Sequence, residues 1–181
     1  MSFILETERL LLRPPRATDI SSFVRLLNDF GVSKNLSRVP HPYTEDDGCA
    51  FIIKVAQGWA SREDLAFAIV RKSDSVYIGT CGVHPARNWE FGYWLGRPYW
   101  GQGYATEAGG RVVTFAFEEL NAEKLSAGWF SDNPASGRVL EKLGFVAQGE
   151  EARSSLSRGA EVRCFLVALD RAAYMTRKSG S

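Results

Sequence analysis

Apolar and polar positions form two kinds of pattern along the chain: short apolar, β-rich runs bounded by turn residues indicate strands, and apolar residues three or four apart indicate helices. The segments typical of strands are residues 9–13, 65–71, 76–83, 89–95, 124–130, a segment that begins at 144, and 163–169. The helical segments, with apolar residues three or four apart, begin at Thr18 or Asp19, at residues 44–47, just after Gly103, and at Asn133. Residues 65–71 and 76–83 flank a polar turn and predict a hairpin.

The order of these elements predicts the fold class. Two helices come early, a mostly antiparallel meander follows, and a strand–helix–strand–helix–strand section ends the chain. This order is typical of an α/β (α+β) fold with a single mixed, mostly antiparallel central sheet and helices on both faces. A length of 181 residues indicates one domain. We assign it to residues 1–176, and the polar residues 177–181 are predicted to be a disordered tail.

Composition narrows the function classes. Hydrophobic residues make up 45% and charged residues 24% of the chain, and the net charge is +1, so we expect neither nucleic acid nor a membrane as a partner. The N-terminus lacks the basic and apolar regions of a signal peptide. The three cysteines lie far apart and the only histidines are His41 and His84, which predicts a cytoplasmic protein with free thiols and no metal site.

The most informative motif is the glycine-containing turn after residues 89–95. It runs Trp100-Gly101-Gln102-Gly103-Tyr104-Ala105-Thr106-Glu107 and opens directly into a helix. The first turn of a helix has unpaired N–H groups and the positive end of the helix dipole, so the motif predicts a site for a phosphate or pyrophosphate.

Other interpretations of the turn differ in how well they fit. A P-loop requires a lysine after its second glycine, and no lysine follows Gly103. A dinucleotide fingerprint requires a third glycine where the chain has Thr106. An ordinary strand-to-helix loop, with glycines only for turn geometry, remains open at this point.

Three segments together resemble one known family. Residues 100–108 look like the acyl-CoA loop of the GNAT superfamily of acyl-CoA-dependent N-acyltransferases, and Asn133-Pro134-Ala135-Ser136-Gly137-Arg138 through Phe145 resemble its second signature. Glu8-Arg9-Leu10-Leu11-Leu12-Arg13-Pro14 is similar to the branch of ribosomal-protein N-acetyltransferases of the RimJ/RimL type. The resemblance extends from about Glu6 to Asp170.

The resemblance implies an enzyme that transfers an acetyl group from acetyl-CoA to a primary amine, by direct attack in a ternary complex. The acceptor could be a protein N-terminus, a polyamine, an aminoglycoside-like amine or a small metabolite. A homodimer is also implied. The alternative from another class is a non-catalytic acyl-CoA-binding or sensor module.

The resemblance also implies cofactor-binding residues. The strands 89–95 and 124–130 would splay apart, and the pantetheine arm would enter between them. The implied cofactor-binding residues are Tyr93, Trp94, Leu95, Trp100, Gly101, Gln102, Gly103, Tyr104, Ala105, Thr106, Asn133 and Ser136. A backbone N–H between Tyr93 and Leu95 would bind the thioester oxygen. Asn133 would orient the pantetheine amide, or serve only as a helix N-cap.

Two side chains are the catalytic candidates. Glu90 would be the general base, directly or through water, with partial desolvation raising its pKa; otherwise it is a surface carboxylate paired with Arg87. By analogy Ser136 would protonate the departing thiolate; otherwise it is a small first-turn residue.

The chain departs from the family pattern at two positions. Leu140 stands where many members carry a tyrosine acid, which puts the identity of the acid in doubt, and Trp100 stands where glutamine or arginine is common. Cys81 is not expected to carry an acyl group, because His84 lies three residues along the same strand and therefore faces the opposite side.

Overall fold

The computed structural model describes residues 4–86 and 89–180. Within them, eight strands form one sheet in the order β1-β2-β3-β4-β5-β6-β8-β7. The strands are β1 (Leu5–Glu6), β2 (Leu10–Arg13), β3 (Leu65–Arg71), β4 (Val76–Pro85), β5 (Trp89–Leu95), β6 (Lys124–Phe130), β7 (Val146–Ser155) and β8 (Ala160–Asp170). Every neighbouring pair is antiparallel except β5 and β6, which are parallel.

The helices are α1 (Ile20–Leu27), α2 (Phe30–Ser33), α3 (Glu45–Ser61), α4 (Tyr104–Glu118), α5 (Pro134–Leu143) and α6 (Arg171–Ser179). They cover both faces of the sheet. On one face, Phe23 of α1 packs on Tyr77, whose ring meets Trp94. On the other, Gly109 of α4 lies so close to Phe91 that an added methyl group would be 3.2 Å from its Cζ atom. Phe91 and Trp94 are three residues apart on β5 and therefore face opposite sides.

The predicted fold class is confirmed, and most predicted elements form where the pattern places them. The helix predicted at residues 44–47 begins with a capping box, in which Thr44 and Asp47 each bond the other's backbone N–H. The core lies between the sheet and helix α4, where Phe67 of β3 packs edge-on against Phe115 of α4. Among the described residues, every helix is too short or too polar to cross a lipid bilayer.

The structure differs from the sequence interpretation at short or polar elements. The strand β1 has two residues and the helix α2 has four, so neither shows a period. Residues 177–179, expected in a disordered tail, complete helix α6, while Ser181 lies outside the described residues. No residue of α6 is buried, so the helix has no apolar face packed in the core that a sequence pattern could reveal. Contacts with the rest of the chain hold α6 instead: Tyr174 stacks on Phe117, and Lys178 pairs with Glu118.

The feature that positions the candidate site is the divergence of β5 and β6. These strands pair only through Trp89 with Leu125 and Glu90 with Ser126. Beyond those pairs the two strands separate, so residues 91–95 and 127–130 border a gap in the sheet. The gap opens toward the N-terminus of α4, and the splayed strands implied by the resemblance are present.

Candidate active site

Backbone N–H groups of β5 face the gap. The N–H of Gly96 donates to the carbonyl oxygen of Ile78 at 3.0 Å, which fixes the phase of the antiparallel ladder with β4. Since hydrogen-bonding direction alternates along a strand, the N–H groups of Tyr93 and Leu95 point into the gap. By the same alternation the N–H of Trp94 points to β4. Of the predicted stretch, two residues therefore offer a donor to a ligand.

The predicted anion loop has the required backbone geometry. Gly101 has φ +72° and Gly103 has φ +82°, both in the left-handed region that favours glycine. Gly103 is the N-cap of α4 and makes no side-chain capping bond, so the N–H groups of Tyr104, Ala105 and Thr106 remain available as donors. All three glycine-loop residues 101–103 are exposed. The loop can bind an anion through its backbone.

The indole of Trp100 ties this loop to the end of β5. Its Nε1 donates to the carbonyl oxygen of Leu95 at 2.7 Å, and Gln102 Nε2 donates to the carbonyl oxygen of Pro98 at 2.9 Å. Trp100 therefore connects the strand that borders the gap with the loop at its end. This bond depends on an indole N–H, which the sequence pattern did not predict.

The N-terminal segment clamps the loop from behind. Glu107, in the first turn of α4, accepts hydrogen bonds from Thr7 Oγ1 at 2.6 Å and from the Arg9 backbone N–H at 2.9 Å, and pairs with the Arg9 guanidinium. Arg9 Nη1 also donates to the carbonyl oxygen of Gln102 at 3.0 Å. In a trans peptide the N–H points opposite to the carbonyl, so Arg9 turns the N–H of Gly103 away from itself, toward the open side of the loop.

Glu107 stays ionised within this clamp. Burial acts to raise the pKa of its carboxyl, but hydrogen bonds from Thr7 and Arg9 outweigh burial and hold the pKa below its ordinary value. The pairing with Arg9 offsets a negative charge that would otherwise repel an anion at the loop. The sequence predicted residues 9–13 as a strand and residues 8–14 as a marker of a family branch, but not this contact, which spans about a hundred residues of chain.

Glu90 lies at the last paired position before β5 leaves β6. Its carboxylate is partly buried, accepts a hydrogen bond from Arg153 Nη1 at 2.7 Å, and lies 3.8 Å from Arg38 Nη2. Burial acts to lower the pKa of Arg153, but the neighbouring Glu90 outweighs burial and raises it. Arg87, the partner considered in the sequence, lies outside the described residues. The arginine contacts fix the position of the carboxylate at the rim of the gap.

Tyr93 and Ser136 meet on the opposite face. The phenol of Tyr93 donates to Ser136 Oγ at 3.0 Å, linking β5 with the first turn of α5. Burial raises the pKa of the Tyr93 phenol to about 12, against a smaller opposing effect of the bond to Ser136. Gly137 lets α5 lie close to β6, since an added methyl group would be 2.8 Å from Cε2 of Trp129. The sequence did not predict this bond between the Tyr93 side chain and Ser136.

Asn133 is the N-cap of α5, and its Oδ1 accepts a hydrogen bond from the N–H of Ser136 at 3.3 Å. The capping role weighed in the sequence is therefore present. An asparagine that accepts through its oxygen retains two N–H donors, so capping is compatible with binding a ligand amide.

The other positions singled out in the sequence lie outside the gap. Leu140 is buried in the core. Cys81 is fully buried, and burial raises the pKa of its thiol, which disfavours the nucleophilic thiolate. His84 bonds to Asp64 at 2.6 Å. Within residues 4–86 and 89–180, no group of three or more His, Cys, Asp and Glu side chains could hold a metal ion.

The gap therefore combines groups of complementary chemistry. A carboxylate lies on one face of β5 and a pair of hydroxyls on the other, because Glu90 and Tyr93 are three residues apart. Backbone donors lie between them, and the glycine loop, whose N–H groups can serve as donors, lies at the end. This arrangement suits acid–base chemistry on a ligand that carries a phosphate group.

Comparisons with known proteins relate this chain to a known family. The model of the acetyltransferase (GNAT) domain matches residues 9–146. The probable N-acetyltransferase YjcK of Bacillus subtilis is 31% identical over 154 residues, which cover 81% of this chain and 85% of YjcK.

Two solved structures share the fold. Mycobacterium smegmatis RimJ, in complex with CoA-disulfide, superposes with a TM-score of 0.78 at 21% identity, covering 99% of this chain and 94% of RimJ. Spermidine N-acetyltransferase from Vibrio cholerae, in complex with CoA and spermine, superposes with a TM-score of 0.79 at 19% identity. The match covers 93% of this chain and 99% of the spermidine N-acetyltransferase. The domain match spans the gap, the loop and helix α5, and the chain belongs to the GNAT family of acetyltransferases.

Proposed function

We propose that the protein transfers the acetyl group of acetyl-CoA to a primary amine by direct attack in a ternary complex. The splayed β5–β6 gap, with an anion-binding loop at its end and Glu90 and Ser136 at opposite faces, is the observation that supports this most directly. The acceptor is a small-molecule amine or a protein N-terminus, classes that include the spermidine named for one protein of the same fold.

The loop fits the pyrophosphate of CoA. Its donors are the backbone N–H groups from Gly101 to Thr106, and two positive-φ glycines keep them clear of side chains. The unpaired edge of β5 fits the pantetheine arm, which can bond it as an added strand would. Asn133 uses its side-chain oxygen for the capping bond. Its two side-chain N–H groups would orient a pantetheine amide.

Acetyl-CoA supplies a thioester whose carbonyl carbon the amine attacks and whose sulfur departs with the electron pair of the broken bond. Glu90 takes a proton from the attacking amine, directly or through a water. The N–H groups of Tyr93 and Leu95 are placed to stabilise negative charge on the thioester oxygen. Ser136 directs its hydroxyl proton toward the departing sulfur. Cys81 is excluded as an acyl carrier by its burial, which favours direct transfer.

The first test is a calorimetric titration of the protein with acetyl-CoA, with NAD as the comparison ligand, followed by thiol release with an amine panel. The panel contains spermidine, lysine and a peptide with a free N-terminus. We expect saturable one-to-one binding of acetyl-CoA alone and turnover with at least one amine. Binding without any turnover would favour the acyl-CoA sensor instead, and a folded protein that does not bind acetyl-CoA would contradict both.

We further expect the Arg9–Glu107 clamp to control binding of the pyrophosphate. Substituting Arg9→Met removes the bond to the carbonyl of Gln102 and the guanidinium partner of Glu107. The KM for acetyl-CoA should rise roughly tenfold, the scale of one lost charged hydrogen bond. The rate with acetyl-pantetheine, which lacks the pyrophosphate, should not change. Steady-state kinetics with both donors measures this.

The matched control is Arg163→Met, which removes a surface ion pair with Glu150 on the β7–β8 hairpin. This variant should behave as wild type with both donors. An equal loss with acetyl-CoA and acetyl-pantetheine in Arg9→Met would show that Arg9 supports the fold in general and not the loop.

A further inference from the structure

The side chain of Tyr93 is a polar group in the gap to which the reaction so far assigns no role. It projects from β5 and reaches Ser136 at the start of α5, so its hydroxyl connects a strand that borders the gap with the first turn of α5. Its ring is packed beside Phe91, at a centroid distance of 6.0 Å. The phenol is therefore held in one place by apolar packing and by one hydrogen bond to a hydroxyl.

This bond restricts where the proton of Ser136 can point. A serine hydroxyl has one donor and two acceptor sites. Tyr93 uses one acceptor site, because it donates to Ser136 Oγ. The O–H of Ser136 must then point away from Tyr93. The position of Ser136 itself is fixed by the bond from its backbone N–H to the Asn133 side chain.

Tyr93 serves as a permanent donor. Its pKa of about 12 keeps the phenol protonated throughout the physiological range. Its proton is directed at Ser136 Oγ, 3.0 Å away, and not into the gap. Tyr93 therefore orients a neighbouring hydroxyl and is not itself aimed at the departing sulfur. Leu140, the position at which the resemblance implied a tyrosine acid, is buried and has no proton to offer.

We propose that Tyr93 is a positioning residue that orients the Ser136 hydroxyl toward the sulfur of the departing CoA. The inference rests on the proposed acetyl-CoA function. It assigns to a β5 tyrosine the task of preparing the donor that stabilises the leaving group. Ser136 contacts the sulfur, and Tyr93 acts only through Ser136.

The kinetic test is a double-mutant cycle of Tyr93→Phe and Ser136→Ala. Tyr93→Phe should lower kcat by roughly 3- to 10-fold, the scale of one neutral hydrogen bond, and leave the KM for acetyl-CoA unchanged. In the Ser136→Ala background, Tyr93→Phe should have no further effect, because the group on which it acts is gone. A loss of the same size in both backgrounds would overturn the proposal.

A binding test needs no turnover. Calorimetry compares the affinity for CoA with that for desulfo-CoA, which lacks the sulfur, at a pH of about 8.5, where a thiol is partly ionised. Tyr93→Phe and Ser136→Ala should each reduce the preference for CoA by roughly 3- to 10-fold. An unchanged preference in Tyr93→Phe would contradict the assignment.

The matched control is Tyr77→Phe, which removes another buried phenol bonded to a hydroxyl, that of Thr80, at 2.6 Å. It should lower thermal stability without changing kcat or the preference for CoA. If Tyr77→Phe and Tyr93→Phe have equal effects, Tyr93 is structural only. If wild-type protein neither binds acetyl-CoA nor turns over, the proposed function has failed instead, so the two failures are distinguishable.

Discussion

Replacing Glu90 with glutamine should lower kcat by about 10²- to 10⁴-fold, the contribution typical of a positioned general base. The substitution keeps the shape of the side chain and an oxygen that can accept from Arg153, so the geometry around the gap should persist. The amine would then have to lose its proton to bulk solvent. Steady-state kinetics at saturating acetyl-CoA and amine measures the loss.

The pH dependence gives a second signature of the base. A lysine-type amine has a pKa of about 10.4 and an α-amine of about 7.7–8.0. As pH rises toward these values, more amine arrives neutral and needs no base. The rate of Glu90→Gln should therefore recover part of its deficit at high pH, while the wild-type rate changes less.

Glu151→Gln is the matched control, because Glu151 pairs with the same arginine, with its carboxylate 2.9 Å from Arg153 Nε, but lies exposed on β7. We expect kcat to change by no more than about threefold, as for an exposed ion pair. Equal losses in Glu90→Gln and Glu151→Gln would assign Glu90 to the ion-pair network and leave the base to be found elsewhere.

Replacing Gly103 with valine should weaken acetyl-CoA binding by roughly 10- to 100-fold, since a β-branched residue at φ +82° is strained by about 1–3 kcal/mol. The added Cβ would also lie 3.3 Å from Arg9 Nη2, inside the clamp that orients the loop. If the backbone relaxes to relieve this strain, the N–H groups of residue 103 and of the first turn of α4 rotate away from the pyrophosphate. Calorimetric titration with acetyl-CoA measures the affinity.

Gly159→Val separates backbone strain from binding. Gly159 also has positive φ, +62°, and lies in the β7–β8 connection, with no atom within 4 Å of an added Cβ. Its replacement should cost a similar free energy of unfolding and leave the affinity for acetyl-CoA unchanged. If both valine variants bind acetyl-CoA as wild type does, the loop does not hold the pyrophosphate.

Much of the fold was predictable because its signals are local. Short segments rich in β-favouring residues placed the strands 65–71, 89–95 and 124–130, and residues 44–47 marked the start of α3. Helix α6 was missed because it has no buried stripe and depends on contacts with Phe117 and Glu118. A pattern read along the chain does not contain such contacts.

The candidate site also combines features that are local in the sequence with contacts between distant residues. The glycines of the loop and the capping sequence around Asn133 act through their own backbone, so the sequence by itself determined them. The tertiary structure alone decided that Thr7 and Arg9 hold Glu107, that Glu90 pairs with Arg153, and that Tyr93 donates to Ser136. Each of these contacts joins residues at least 43 positions apart. Local periodicity fixes which face a side chain occupies, whereas its partner depends on how distant elements pack.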